Sequence, residues 1–201
     1  MMSSNREEEL VKFIVRPENF DTALEISERF PQAVRRLQSK FWSKLEQRLE
    51  KVMAQSPKEF KGWECDLTEG DTRTDYFSIS LTPKTSSSAK RYCCPCLQQR
   101  TDASKFQLFY GIVWSEEVSS EPRIAEYNAL KRKVREDLKL TNGEGWWVGG
   151  TLLPDCLTKP ETLRQLSRDD SLERLQADQL VGLFKDTREL LEKLNQALLK
   201  K

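Results

Sequence analysis

The hydrophobic period of this chain changes once, sharply, and that change restricts the fold more than any other feature. Before Gln55, Val34, Leu37, Phe41, Leu45, Leu49 and Val52 recur at steps of three and four. Such steps stack side chains along one stripe of a helix. After Ser56-Pro57 the step falls to two, in Trp63-Glu64-Cys65-Asp66-Leu67 and again in Tyr76-Phe77-Ser78-Ile79-Ser80-Leu81. Alternation puts the apolar residues on one face of a strand. Glu69-Gly70-Asp71 supplies turn residues between the two runs, so the sequence predicts a hairpin.

The remaining elements follow from the same reasoning. Asn19 caps a short helix through Phe30, with Ala23, Leu24 and Ile26 as its apolar side, and Pro31 restarts a second helix of about 24 residues. Phe106 to Trp114 is the most apolar stretch and reads as a central strand. The segment Pro83 to Ser104, rich in Ser, Lys and Arg, reads as a long loop. Ser120-Glu121-Pro122 opens a helix whose buried stripe is Ile124, Tyr127, Leu130, Val134 and Leu138; Asn142-Gly143-Glu144-Gly145 stops it. Trp146 to Leu153 forms a strand bulged at its glycines, Pro154 and Pro160 frame a small helix, and Asp170-Ser171-Leu172-Glu173 is a capping box before a long terminal helix. The expected class is α+β: a mostly antiparallel sheet of about four strands, flanked by N-terminal and C-terminal amphipathic helices. Residues 1–56 are expected to be a helical segment packing on the sheet and 57–201 the α+β body, in one domain overall.

Composition limits the chemistry. The 201 residues include no histidine, which excludes Ser-His-Asp and Cys-His nucleophiles, His-ligated metals and the usual acid/base group near neutral pH. The 33 Lys plus Arg balance 32 Asp plus Glu, for a net charge of +1, so no overall field draws the chain to nucleic acid or an anionic membrane. MMSSNREEELVKF has no signal-like apolar run, and no stretch of about 18 apolar residues predicts a membrane helix. Five cysteines without a signal read as reduced thiols. The expectation is a soluble cytoplasmic protein with no membrane partner.

Four groups of residues could carry function. Cys93 and Cys96 have C-x-x-C spacing, but a second such pair is missing, so they are weak metal ligands and weak redox thiols. Lys84, Lys90, Arg91, Arg100 and Lys105 stand against Asp102 alone, a local net of +4, with Tyr92 among them to stack on a base; they form the candidate nucleic-acid contact. Adjacent Trp146 and Trp147 cannot share a strand face, so one is a candidate protein-interface anchor. The terminal helix carries a seam of Ala177, Leu180, Phe184, Thr187, Leu191, Leu194 and Leu198, from which Phe184, Leu191 and Leu194 are further interface candidates. The pattern of an acid followed by Glu/Asp-x-Lys on a strand, which metal-dependent nucleases need, fails: Ser80-Leu81-Thr82-Pro83-Lys84 has no acid two residues before the lysine.

Phe13-Ile14-Val15-Arg16-Pro17-Glu18-Asn19-Phe20, Ala23 to Phe30 and Phe41-Trp42-Ser43-Lys44-Leu45 resemble the region that follows the catalytic domain in bacterial PD-(D/E)XK nuclease-like proteins. Tyr110-Gly111-Ile112-Val113-Trp114 and Gly145-Trp146-Trp147 extend the likeness. The resemblance implies an accessory half in a bacterial defence or mobile-element setting, with no catalytic residue carried over. The sequence therefore favours a cofactor-free, non-catalytic interaction module with a protein partner, a nuclease component among the candidates. A nucleic-acid-binding accessory and a divergent metal-dependent nuclease are the alternatives.

Overall fold

The computed structural model describes residues 2–69, 77–84, 91–102, 105–116, 121–143 and 145–199. Five helices and five strands follow in the order α1 (Met2–Ile14), α2 (Pro17–Gln55), β1 (Trp63–Glu69), β2 (Phe77–Pro83), β3 (Cys93–Asp102), β4 (Lys105–Trp114), α3 (Ala125–Arg132), β5 (Trp147–Cys156), α4 (Pro160–Arg168) and α5 (Ser171–Leu199). A π-helical turn, Lys133–Asp137, extends α3. The chain divides into two compact units, Met1–Ser39 and Lys40–Lys201; α2 contributes to both.

In the larger unit the strands form one antiparallel meander in chain order, β1-β2-β3-β4-β5. The α+β class and the helices at both ends match expectation; the sheet has five strands rather than four. The additional strand is β3, in the segment that composition marked as a loop. Cys93, Cys94, Cys96 and Leu97 are all buried, and a free cysteine packs as a small hydrophobe. The Ser, Lys and Arg content of the flanks hid a strand whose centre is apolar.

Pairing register separates the two faces of the sheet. Leu67, Ile79, Leu97 and Tyr110 lie opposite one another across four strands, and helices cover this face. From α2, Trp42 stacks on Phe77 at 5.9 Å and donates Nε1–H to Gln99 Oε1. From α5, Phe184 packs against Phe60 and Trp63 at 4.9 and 5.0 Å, and from α3 Tyr127 meets Trp114 at 5.5 Å. The core is thus one sheet face under α2, α3 and α5. On the other face Asp66, Ser80, Cys96, Gly111 and Gly150 form a second row across all five strands. A small separate cluster of Cys96, Phe109 and Trp147 sits there.

A Cβ on Gly111 would lie 2.2 Å from the carbonyl oxygen of Gly149, so only glycine lets β4 and β5 approach this closely. Among the described residues β2 meets β3 only through Ser78–Ser80 against Cys96–Gln98, which leaves the start of β3 without a described strand neighbour on that side. Asn195 of α5 fills the vacancy: Cys93 N–H donates to Asn195 Oδ1 at 2.9 Å, and Asn195 Nδ2 donates to Cys93 O at 3.0 Å.

Helix boundaries differ from expectation in three places. Pro31 lies inside an unbroken α2 rather than at a restart, although a mid-helix proline removes one i→i−4 bond. The helix expected to open near Glu121-Pro122 begins at Ala125. Met2–Ile14, which composition left unassigned, is α1, and α2 begins at Pro17, ahead of Asn19.

Candidate functional site

The smaller unit, residues 1–39, is built from α1 and the first part of α2. The helices join at Val15-Arg16, where Asn19 Nδ2 donates to Phe13 O at 2.9 Å. Steps of three and four set an apolar stripe on each: Leu10 and Phe13 with Ile14 on α1, Ala23, Ile26 and Phe30 on α2. These side chains face one another across an open groove of about 600 Å³, whose polar lining is limited to Asn19, Thr22 and Ser27.

Ordinarily such stripes would be covered. Here Leu10, Phe13, Ile26 and Phe30 are each more than half exposed, and Val11, Val15, Phe20 and Leu24 are at least half exposed. Among the described residues no hydrophobic side chain before Phe41 is buried. Exposed single hydrophobes are ordinary on proteins, whereas a contiguous apolar patch marks a contact surface. Charge on this unit is interleaved, with seven acids and six bases over residues 1–39, and ion pairs Lys12–Glu8 (2.9 Å) and Arg29–Glu25 (3.0 Å) follow the i,i+4 rule.

The interface candidates on the larger unit divide. Phe184, Leu191 and Leu194 are fully buried and hold the chain's own core, as a wide apolar seam does when it packs at home. Trp147 is buried in the outer-face cluster, edge-on to Phe109 at 4.5 Å. Trp146 is 45% exposed in the preceding turn, and its main-chain carbonyl accepts from Trp114 N–H.

The basic residues are not gathered into one loop. Lys84 is exposed at the end of β2, and Arg91 is paired with Glu116 at 2.7 Å. Arg100 and Lys105 lie in the paired strands β3 and β4, opposite Gln107 and Asp102; their side chains and all of Lys90 lie outside the described residues.

The thiols are set deep. Cys94 and Cys96 share the outer face with Ser80, while Cys93 points to the opposite face. Burial pushes the Cys96 thiol up to about 12, against the opposing hydrogen bond from Ser80, and raises Cys93 and Cys94 as well. Cys65 is likewise pushed up to about 12, mainly by burial and then by Glu46, Glu50 and Asp66. Nucleophilic and metal-binding cysteines act as thiolates, and these surroundings oppose ionisation. Among the described residues no three His, Cys, Asp or Glu side chains stand together as a metal ion would need.

The sequence marks Ala23, Leu24 and Ile26 as the apolar side of a helix but does not single out Leu10, Phe13, Phe20 and Phe30, which are at least half exposed. The signal is present in the apolar spacing 10, 13, 14 and 20, 23, 26, 30. Pattern alone cannot distinguish a stripe that is covered from one that is bare. No family model matches the chain, and no curated protein or solved structure matches it either.

Proposed function

We propose that this chain is a non-catalytic protein-docking module, in which residues 1–39 are the docking arm and residues 40–201 the folded body. One observation carries the reading: of twelve exposed large hydrophobic side chains among the described residues, eight fall between Leu10 and Phe30. A sequence under no demand to bind would place polar residues there, because exposed Phe and Ile add nothing to folding and promote association. The buried, protonated thiols support a role outside covalent chemistry. The PD-(D/E)XK-like resemblance implies the same kind of role, an accessory half lacking nuclease chemistry.

The test separates an arm used for docking from one that serves the chain's own core. All five tryptophans lie after residue 39, so their emission follows unfolding of the body alone. Ile26→Glu and Phe30→Glu should leave the body's unfolding free energy, extrapolated to low protein concentration, within about 0.5 kcal/mol of the parent, as for surface substitutions. A concentration-independent loss of more than about 2 kcal/mol, the size expected for a charge placed in a core, would refute the docking reading.

A further inference from the structure

We infer that the occupant of the arm's groove is the arm of a second copy of this chain, so that the module is a symmetric homodimer joined through residues 10–30. The inference rests on the docking reading above and adds the identity of the partner.

Area supplies the first argument. The four exposed hydrophobes that line the groove, Leu10, Phe13, Ile26 and Phe30, are 54–60% accessible; at roughly 100 Å² each they present on the order of 400 Å² of apolar surface, about the apolar share of what each partner contributes to a standard-size interface. A smaller patch would suit only a weak encounter, and a much larger one an obligate intertwined assembly.

Shape supplies the second. A two-fold interface uses the same patch twice, so the patch must offer both a recess and something to fill it. The arm has both. Its groove is apolar and open on one side, lined from two helices by Leu10, Phe13, Ala23, Ile26 and Phe30. Those helices carry Phe13, Phe20, Leu24 and Phe30 at half exposure or more, and aromatic side chains are favoured anchors for such recesses. Two arms laid together would make a four-helix arrangement with a shared apolar centre.

Charge supplies the third. Seven acids against six bases over residues 1–39 leave a net of −1, interleaved along both helices. Two copies therefore approach with little repulsion, whereas a strongly acidic or basic partner gains no attraction.

The experiment is sedimentation velocity with light scattering on the full chain over roughly 1–200 µM, a range that spans the affinities interfaces of this size reach without further optimisation. The parent is expected at twice the 23.4 kDa chain mass in the upper part of that range. Phe13→Glu and Ile26→Glu should each return it to a single chain mass, while Ile26→Leu, which keeps the apolar surface, should stay dimeric. Unchanged tryptophan emission in every variant would show that the body is intact. A parent that remains monomeric throughout would overturn the second-copy inference while leaving the docking reading to its own stability test. A foreign helix or a lipid surface would then be the occupant, told apart by flotation with phosphatidylcholine vesicles. A dimer that survives both glutamate substitutions would overturn the inference too, since its interface would lie elsewhere.

Discussion

Asn195→Ala tests how the terminal helix secures the sheet. At Cys93 the strand β3 has run past its pairing with β2, which ends at Cys96. The neighbouring Tyr92 carbonyl accepts from Ser115 N–H on the β4 side, so the peptide groups of Cys93 face the vacant side. There the Asn195 amide supplies one acceptor and one donor at 2.9 and 3.0 Å. Cys93 is fully buried and Asn195 is 7% exposed. Alanine removes both partners at once and leaves a buried N–H and a buried C=O unsatisfied, at about 1–3 kcal/mol each. Some water can reach the strand edge through the vacated space, so a total of about 2–4 kcal/mol is expected. For a folding unit of this size each kcal/mol shifts Tm by about 2–4 °C, which makes the expected drop roughly 5–15 °C. Urea unfolding followed by tryptophan emission measures it directly. Asn195→Asp sharpens the test: it keeps the acceptor for Cys93 N–H but sets a second oxygen against Cys93 O. It should be no more stable than the alanine variant. An alanine variant within about 1 kcal/mol of the parent, or an aspartate variant equal to the parent, would refute the assignment of the clamp.

Glu173 is 2% exposed, one of its carboxylate oxygens has no hydrogen-bond partner among the described residues, and burial raises its pKa above the usual carboxylate range. The native state therefore holds this proton more tightly than the unfolded chain, so the parent gains stability as pH falls through that raised pKa and loses it as pH rises. Glu173→Gln, which keeps an acceptor in the first turn of α5, should be equal or more stable by up to about 1 kcal/mol at pH 7 and lose that advantage on acidification; a variant clearly less stable at pH 7 would contradict this. A colourless-to-coloured disulfide reagent at pH 8 should modify Cys93, Cys94 and Cys96 only as fast as the protein unfolds, because their thiols are buried and protonated. Rapid native-state reaction of more than one thiol per chain would show that the strand is not as closed as described. The same raised values mean that native stability should fall above about pH 9, where unfolded thiols ionise and the native ones do not.

The parts of the fold that were legible in the sequence are those where one periodicity ran without interruption. The first hairpin showed through Trp63, Cys65 and Leu67 set against Phe77, Ile79 and Leu81, and the second half of α2 through Phe41, Leu45 and Leu49. β3 was illegible because four of its buried residues, Cys93, Cys94, Pro95 and Cys96, are cysteines and a proline, types that carry little strand signal, between basic and serine-rich flanks. Pro31 misled in the opposite direction: its preference for a first turn is real, but a long helix can absorb the loss of one bond. The apolar stripe of α5 was read correctly as a stripe, yet Phe184, Leu191 and Leu194 serve the core. The bare stripe is on the arm, where Leu10, Phe13, Ile26 and Phe30 have the same spacing. Exposure is a property of what lies opposite, and a one-dimensional pattern does not contain it. Trp146 and Trp147 show the same limit on a smaller scale, since alternation required them to point to opposite sides without saying which was outward.

The three-residue seam between β2 and β3 also has a consequence for the order in which this body assembles. β1 with β2, and β3 with β4, are hairpins between chain neighbours, the second paired along its full length from Cys93–Trp114 to Asp102–Lys105. Local hairpins form within microseconds. Among the described residues the seam that joins them closes over only Ser78–Ser80, and the bond that extends it comes from Asn195, 102 residues beyond Cys93. Closing so distant a contact is entropically slow. The two hairpins should therefore form early and remain hinged, becoming a single sheet only when α5 docks, so that the last helix of the body is also the step that sets its folding rate.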